Sequence, residues 1–392
     1  MICVIADDLA GAAELGGAAL RHGLTAEVQL AFDADSDADV LCVNTDTRPC
    51  SAGEAASLAA QAAAGCRQAG VDHIFKKVDS VLRGWVAVEL NAMLPALGRE
   101  RALLVPANPV RGRVVRDGRY WIDGQPLDQT DFARDPEYPV HSAAVLALLG
   151  TAGTESMHLL PVGSPLPPRG ILVGEAASPA DLAAWAGRLD VATLPAGAAE
   201  FFSAFLTSIG HAEGGDRPGA GRGAAPRRAL FVCGSTTDAT RAFLRDVETD
   251  GVPVQRMPAG LLDRGAPRRR LEAEWIAAMT QALREQPQAV AAIDRPLHLE
   301  PGMPQRLSEA LAAAVRQALE EQAVDRLLVT GGATAMALMR ELGWSRLVVE
   351  RQFAPGVVGL RPAGHPGPQV VIKPGSYRWP AELAGAEAQA RD

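Results

Sequence analysis

The sequence predicts an α/β fold with two domains, each built on a mainly parallel sheet flanked by helices. Short apolar runs alternate with alanine-rich segments of helical period, a pattern typical of βαβ units. A dense mixture of Gly, Arg, Pro and Ala at residues 210–227 separates two such series and has the composition of a linker. We therefore expect one domain at residues 1–209 and a second at residues 228–392.

Each series supplies its own strands and helices. The first predicts strands at Ile2–Ala6, Ala26–Leu30, Val40–Asn44, His73–Val78, Ala102–Pro106 and Gly170–Gly174, with helices such as Ala12–His22 and Gly53–Ala69. The second predicts strands at Ala229–Cys233, Val290–Asp294, Arg326–Thr330, Leu347–Val349 and Val370–Ile372, and helices at Thr237–Thr249, Arg269–Glu285, Pro304–Glu321 and Ala333–Leu342. The segment Arg111–Pro139, rich in Gly, Asp and Pro, is predicted to be irregular, and long loops of this kind are often functional.

Composition excludes several classes of protein. With 392 residues, 48% hydrophobic and 21% charged, the chain is predicted to be globular rather than disordered. A formal net charge of -8 argues against a nucleic-acid partner, and no apolar run reaches membrane-spanning length, so we expect no membrane partner. No signal peptide is evident, so a cytoplasmic location is expected. The five cysteines and seven histidines show no ligand spacing, which leaves any metal ligands unassigned.

Two adjacent carboxylates, Asp7 and Asp8, follow the first predicted strand and precede a helix. Such a pair is suited to hydrogen-bonding sugar hydroxyls, to binding Mg²⁺ or to abstracting a hydroxyl proton. The alternative is that Asp8 only caps the helix, although a cap needs one aspartate and this position has two.

The most informative segment runs from Lys76 to Gly84, with the sequence Lys-Lys-Val-Asp-Ser-Val-Leu-Arg-Gly, and follows another predicted strand. Charged and hydroxyl groups at a strand end favour an anionic ligand, because ligands of open α/β sheets bind beyond the carboxyl ends of the strands. Arg48 follows a third strand and is expected at the same edge. The alternatives are surface salt bridges for the segment and a solvated turn residue for Arg48. A later loop with Asn108 and Gly112-Arg113 is either a substrate-edge loop or a plain turn.

The second half contains two turns in which a strand is followed by glycine, a hydroxyl residue and a helix. They are Gly234-Ser235-Thr236-Thr237 and Gly331-Gly332-Ala333-Thr334. Glycine permits close backbone approach, and a helix N-terminus with hydroxyls binds phosphate, so nucleotide phosphates or ribose are the expected ligands. Simple helix capping is the alternative. Lys373 and Gly375 end the last strand, where the lysine is expected to meet a phosphate unless the segment is a plain terminal turn.

In this order, the motifs resemble the four-carbon acid sugar kinase family, which includes kinases acting on threonate, erythronate and 3-oxo-tetronate. The matching motifs are Ala6-Asp7-Asp8-Leu9-x-Gly11, Lys77-x-Asp79-Ser80-x-Leu82-Arg83-Gly84, Gly234-Ser235, Gly331-Gly332-x-Thr334 and Lys373-x-Gly375. The resemblance implies a first domain that binds the acid sugar and a second that binds ATP. It also implies phosphoryl transfer in the cleft between the domains.

The expected site residues come from the motifs and from the resemblance together. The resemblance itself implies Asp8, Arg48 and Lys77 to Ser80 at acid-sugar positions, and Ser235, Gly331 to Thr334 and Gly375 at ATP positions. The expected substrate-binding residues are Asp7, Asp8, Arg48, Lys77, Asp79, Ser80 and Arg83. The expected nucleotide-binding residues are Ser235, Gly331, Gly332, Ala333, Thr334, Lys373 and Gly375. In the expected mechanism Arg48 and Lys77 hold the carboxylate or neighbouring oxygens of the acid, and Asp8 or Asp79 takes the proton of the attacking terminal hydroxyl. Mg²⁺ bridges the β- and γ-phosphates of ATP.

A non-catalytic acid-sugar sensor is the alternative function. It is favoured by Ala333, which stands where the family often has an acid, and by the departure of the closing Lys-Pro-Gly-Ser-Tyr-Arg motif from the family pattern. The oligomeric state stays open, with a homodimer as the candidate assembly.

Overall fold

The computed structural model describes residues 1–134, 138–150, 156–214, 227–263, 267–294 and 302–384. The chain divides into two compact units, Met1–Arg217 and Pro218–Asp392. Each unit contains a mainly parallel sheet with flanking helices, which confirms the predicted fold class. Residues 215–226 of the predicted linker lie outside the described part of the chain.

The first unit is built from eleven strands and six helices within the described residues. The strands are β1 (Ile2–Ala6), β2 (Ala26–Gln29), β3 (Val40–Asn44), β4 (His73–Lys77), β5 (Arg101–Val105), β6 (Arg113–Arg116), β7 (Arg119–Ile122), β8 (Gln125–Pro126), β9 (Met157–Leu160), β10 (Gly170–Gly174) and β11 (Thr193–Gly197). The helices are α1 (Leu9–Arg21), α2 (Ala52–Gln68), α3 (Val86–Leu97), α4 (Val145–Leu149), α5 (Pro179–Ala186) and α6 (Ala199–Ser208).

Eight of these strands form one parallel sheet in the order β2-β3-β1-β4-β11-β5-β10-β9. Strands β1 and β3 are buried along their whole length, as expected when helices cover both faces of a parallel sheet. Strand β1 lies between β3 and β4. After β1 the chain forms β2 and β3 on one side of it, and it then crosses to the other side of β1 to form β4. Such a reversal of direction along the sheet opens a crevice at the carboxyl ends of the strands, and ligands of open α/β sheets usually bind there.

The segment predicted to be irregular contains regular structure. Strands β6, β7 and β8 form a small antiparallel sheet, separate from the parallel one. Each strand has two to four residues, and most of those residues are half-buried or exposed. Strands of two to four residues are too short to show an apolar period, which is why the sequence predicted a loop here.

The second unit contains seven strands and five helices within the described residues. The strands are β12 (Ala229–Cys233), β13 (Val254–Arg256), β14 (Gln288–Ala292), β15 (Arg326–Thr330), β16 (Arg346–Ala354), β17 (Val357–Pro362) and β18 (Gln369–Lys373). The helices are α7 (Asp238–Thr249), α8 (Arg268–Glu285), α9 (Met303–Glu321), α10 (Gly332–Leu342) and α11 (Ala381–Ala384).

The strand order in this unit is β13-β14-β12-β15-β18-β17-β16. The first five strands are parallel, and β16 and β17 complete the series as antiparallel neighbours. The core is apolar and centres on Phe231, which contacts the rings of Phe243 and Trp379. No helix in the described part of either unit is long and apolar enough to cross a membrane.

Candidate functional site

In the first unit, three neighbouring strands end in register. Ala6 at the end of β1 pairs with Asn44 of β3 on one side and with Lys77 of β4 on the other. The residues that follow these strand ends therefore leave the sheet at the same edge. They include the carboxylates Asp7 and Asp79, which are only 4% and 6% exposed. Buried carboxylates need charged or hydrogen-bonding partners, and the next loop supplies one.

That partner is Arg48, whose guanidinium is surrounded by three carboxylates. Its Nε and Nη2 donate to Oδ2 of Asp7 at 3.0 and 2.8 Å. Its Nη1 lies 3.1 Å from Oδ2 of Asp8, and Nη2 lies 3.8 Å from Oδ1 of Asp79. The sequence placed these four residues at one edge, and the structure brings them together.

The charges of this cluster control its protonation. Burial raises the pKa of the Asp7 carboxyl, but the charges of Arg48, Lys76 and Lys77 outweigh burial and hold the pKa below its ordinary value. One oxygen of Asp7, Oδ1, is buried and has no hydrogen-bond donor among the described residues. An ionised carboxylate with a free buried oxygen is a strong acceptor for a ligand hydroxyl.

Asp79 organises the turn after β4. Its Oδ2 accepts from the backbone N–H groups of Val81 and Arg83 at 3.2 and 3.1 Å, and the Arg83 side chain donates to both carboxylate oxygens at 2.9 Å. Burial raises the pKa of Asp79, but Arg83 and Arg48 outweigh that effect and hold it far below its usual range. The same turn places Leu82 at φ 64°, a backbone conformation that is uncommon for a residue with a side chain.

Asp8 starts helix α1. Its Oδ1 accepts from the N–H of Gly11 at 2.8 Å, so the capping role considered from the sequence is present together with the contact to Arg48. Lys77 lies beside it: a Cβ on Gly11 would sit 2.7 Å from Oδ1 of Asp8 and 3.2 Å from Nζ of Lys77. The Lys77 ammonium donates to the carbonyl of Val78 at 2.8 Å and lies 3.6 Å from Oε2 of Glu14.

Ser80, the last predicted substrate residue of this segment, connects the cluster to the small antiparallel sheet. Its hydroxyl accepts from Nη1 of Arg113, and its carbonyl accepts from the hydroxyl of Tyr120. The guanidinium carbons of Arg83 and Arg113 lie 5.4 and 5.6 Å from the ring centre of Phe132.

Sequence reasoning missed the aromatic residues of this region. Tyr120 and Phe132 have just been described, and Tyr138 donates to the backbone carbonyl of Arg48 at 3.0 Å. The signal that could have found them is the presence of several aromatic residues in a Gly-, Asp- and Pro-rich segment of a chain with only 5% aromatic residues.

In the second unit, the two glycine–hydroxyl turns and the last turn meet. A Cβ on Gly375 would lie 2.5 Å from Oγ of Ser235, and the hydroxyl of Thr237 donates to the Gly375 carbonyl at 2.8 Å. A Cβ on Gly234 would lie 1.9 Å from Oγ1 of Thr334. These contacts bring the ends of β12, β15 and β18 together, as the sequence placed them.

Helix α10 begins directly at this junction. Gly331 precedes it with φ 99°, a conformation that favours glycine, and its N–H donates to the carbonyl of Lys373 at 2.9 Å. Ala333 is exposed in the first turn of the helix, whereas Thr334 is buried. A helix N-terminus reached through paired glycines offers backbone N–H groups to an anion such as phosphate.

Lys373 is bound within the protein. Its ammonium donates to the carbonyl of Tyr377 at 2.7 Å and lies 5.0 Å from the ring centre of Trp379. Burial lowers the pKa of Lys373 to about 8. Within the described residues, no group of three or more His, Cys, Asp or Glu side chains could hold a metal ion.

Two family models match the chain in sequence order. A sugar-binding N-terminal domain matches residues 2–189, and a nucleotide-binding C-terminal domain matches residues 230–377. A sugar-binding half followed by a nucleotide-binding half is the arrangement that a sugar kinase requires.

Similar proteins specify the family. The D-threonate kinase of Cupriavidus necator is 31% identical over 412 residues, which cover 97% of this chain and 95% of that protein. The D-erythronate kinase of Heliobacterium modesticaldum is 27% identical over 402 residues, 90% of this chain and 88% of that protein. The D-threonate kinase of Bordetella bronchiseptica is 38% identical over 159 residues, 38% of this chain and 39% of that protein. The chain belongs to the four-carbon acid sugar kinase family, as its motifs predicted.

A solved structure shares the fold. A protein of Haemophilus influenzae matches with a TM-score of 0.66 and 16% sequence identity, over 96% of each chain. At that identity the likeness concerns the fold alone.

Proposed function

We propose that this chain transfers the γ-phosphoryl group of ATP to the terminal hydroxyl of a four-carbon sugar acid. The observation that carries the proposal is the cluster of Asp7, Asp8, Arg48 and Asp79 at the ends of three parallel strands. Relatives named as D-threonate and D-erythronate kinases support both the reaction and the class of acceptor. The sensor alternative is not favoured, because those relatives are kinases.

The proposal assigns the acid sugar to residues 1–209 and the nucleotide to residues 228–392. Ser235, the turn Gly331–Thr334 and Gly375 are the proposed nucleotide contacts. The first turn of α10 offers backbone N–H groups to a phosphate, and the nearest atoms to a Cβ on Gly331 would be 3.8–3.9 Å away, in Thr334 and Ser235. The contacts of Lys373 with Tyr377 and Trp379 favour a structural role for this lysine in the turn after β18. That role is proposed in addition to the phosphate contact predicted from the sequence.

Of the two aspartates considered as the base, Asp8 is the better placed. Each of its oxygens has one donor within the described residues, and the side chain is 19% exposed. Both oxygens of Asp79 are already bonded to Arg83, and Oδ2 also accepts two backbone N–H groups. We therefore propose that Asp8 contacts the attacking hydroxyl and accepts its proton, and that Asp79 is a positioning residue.

The contacts of Asp7, Arg48 and Lys77 indicate a different role for each of these predicted residues. Asp7 offers its free oxygen Oδ1 to a second hydroxyl of the acid. Arg48 holds Asp7 and Asp8 in fixed positions, because its donors are directed at both carboxylates. Lys77 supports the first turn of α1 beside Asp8.

Magnesium enters this proposal as part of the donor. No metal-binding cluster occurs in the described residues, and Mg²⁺ in kinase sites is commonly held by the phosphates and water with few protein ligands. MgATP is therefore the proposed co-substrate, and it reduces the charge repulsion between the phosphates and the approaching hydroxyl. A cytoplasmic location belongs to the same proposal, because ATP is the donor.

The test is an assay of ADP release with MgATP and a panel of D-threonate, D-erythronate and 3-oxo-tetronate. We expect turnover with at least one acid and a phosphate ester at its terminal carbon, which phosphorus NMR of the product identifies. Folded protein that binds a tetronate in calorimetry but neither binds nor consumes ATP would instead establish the sensor function.

A further inference from the structure

Three arginines, Arg48, Arg83 and Arg113, lie in or next to the carboxylate cluster of the first unit. Arg113 differs from the other two in its partners. Arg48 is paired with Asp7 and Asp8, and Arg83 is paired with Asp79. Within the described ranges, no carboxylate lies at salt-bridge distance from Arg113; its side chain donates one hydrogen bond, to the hydroxyl of Ser80, and contacts the Phe132 ring. Its other N–H groups have no acceptor there.

The backbone around Arg113 is held firmly. The N–H of Asn108 donates to the Arg113 carbonyl at 2.8 Å, and the Arg113 N–H donates to the Asn108 carbonyl at 3.1 Å. Gly112 precedes it with φ 64°, and a Cβ there would lie 1.9 Å from Oδ1 of Asp123. The paired backbone and this tight approach fix where the side chain of Arg113 begins.

A second polar atom in this loop also lacks a partner. Oδ1 of Asn108 is buried, the residue is 4% exposed, and no hydrogen-bond donor reaches that oxygen within the described residues. Buried acceptors are nearly always satisfied in folded proteins, by protein, water or ligand. The loop therefore presents an unpaired cation and an unpaired acceptor from two residues that bond to each other.

Contacts connect Arg113 to the proposed reaction centre. Ser80, which accepts from Arg113, directly follows Asp79, and Asp79 lies 3.8 Å from the guanidinium that binds Asp8. A half-buried guanidinium without an acid partner is incompletely compensated, and a ligand carboxylate would complete it through a two-point contact. Arg48 and Arg83 already have carboxylate partners, so each is a weaker binding site for a ligand carboxylate than Arg113.

From these contacts we infer that Arg113 binds the carboxylate of the sugar acid and sets the preference for an acid over a neutral polyol. The inference rests on the proposed function and deepens it. The terminal hydroxyl of the acid then lies at Asp8, and its opposite end lies at Arg113. Asn108 accepts a hydrogen bond from a hydroxyl next to the carboxylate.

The test compares Arg113→Gln with the wild type, using the best tetronate and threitol, a four-carbon polyol without a carboxylate. We expect the variant to raise the KM for the tetronate about 100-fold, because it loses a charged hydrogen-bonded pair with the carboxylate. The change in kcat should be much smaller. The inhibition constant of threitol should change little. Arg116→Gln is the matched control, because Arg116 lies on the same strand, is exposed and contacts Trp121.

Three outcomes would overturn the inference: an unchanged tetronate KM, an equal loss for tetronate and threitol, or the same effect from Arg116→Gln. Should Arg113→Gln fail to fold, Arg113→Lys decides, because it keeps the charge but loses the two-point contact and should raise the KM by about 10-fold. Calorimetric binding of the tetronate to each variant separates this question from turnover. A wild type that binds tetronate through Arg113 but transfers no phosphate would contradict the proposed function alone.

Discussion

A Cβ atom on Gly234 would lie 1.9 Å from the hydroxyl oxygen of Thr334. The end of β12 and the first turn of α10 therefore touch with no room for a side chain between them. Because Thr334 is only 3% exposed, it has little space into which it could move.

Gly234→Ala should consequently separate the two nucleotide turns. We expect a rise in the KM for ATP with little change in the KM for the tetronate, and a loss of about 1–3 kcal/mol in the free energy of unfolding. Steady-state kinetics and urea unfolding measure these effects. Gly53→Ala is the control, since nothing lies within 4 Å of a Cβ there and alanine favours the helix. Normal ATP kinetics in Gly234→Ala would contradict the proposed role of this junction.

Asp8→Asn isolates the proposed base from the helix cap. Asparagine caps a helix about as well as aspartate but gives up the ion pair with Arg48, so the unfolding free energy should fall by about 1–2 kcal/mol. The side chain loses its ability to accept a proton, and kcat should fall about 100-fold or more. Asp8→Ala, which also removes the cap, should cost about 1 kcal/mol of stability in addition. A wild-type kcat in Asp8→Asn would remove Asp8 from the chemistry.

Asp79→Asn should be destabilising as well as inactive. The substitution leaves Arg83 and the two backbone N–H groups with a neutral acceptor, and breaking a largely buried ion pair typically costs about 3–5 kcal/mol. Denaturant unfolding at neutral pH measures the loss. Asp117→Asn, at an exposed turn, serves as the control and should be neutral. Full stability in Asp79→Asn would contradict the positioning role.

Acid should weaken the first unit through the same carboxyl groups. The folded-state pKa values of Asp7 and Asp79 lie below their unfolded values, so both groups stabilise the fold above the unfolded pKa. That contribution is lost as the pH falls below about 4. Unfolding free energies measured between pH 7 and pH 2 should therefore decline more steeply in the wild type than in Asp79→Asn. Parallel curves would show that Asp79 has no depressed pKa.

Arg48→Lys should be far from conservative. Three nitrogens of Arg48 lie within 3.1 Å of Asp7 and Asp8, and Asp79 lies at 3.8 Å; a single ammonium cannot reproduce that arrangement. We expect kcat/KM for the tetronate to fall about 100-fold, with the KM for ATP unchanged. Arg169→Lys is the control, because Arg169 forms an exposed pair with Glu100. Unchanged kcat/KM in Arg48→Lys would show that the geometry of this cluster does not matter.

The parallel strands were the most predictable part of the fold. Ile2–Ala6 and Val40–Asn44 have the predicted bounds, because a short apolar run that is buried on both faces has few other structures open to it. Thr193–Gly197 was missed, since its Pro and Gly do not resemble a strand, although it lies in the middle of the sheet.

The sequence predicted which residues would meet, but not their pairing. Strand-end position alone brings Asp7, Arg48 and Asp79 together. It does not indicate that Lys77 contacts Glu14, because that contact depends on how α1 packs on the sheet. The contact between Arg113 and Ser80 was equally hidden, since it depends on a small antiparallel sheet with no apolar period.

Strand β18 occupies the interior of its sheet, between β15 and β17, and the turn after it contributes Gly375. During synthesis on the ribosome, the chain can therefore begin the nucleotide pocket from residue 229 onward but cannot finish it until residue 375 has left the exit tunnel. Until then, β15 and β17 lack the strand that pairs with both, and unpaired strand edges in a stalled nascent chain favour misfolding as well as preventing ATP binding.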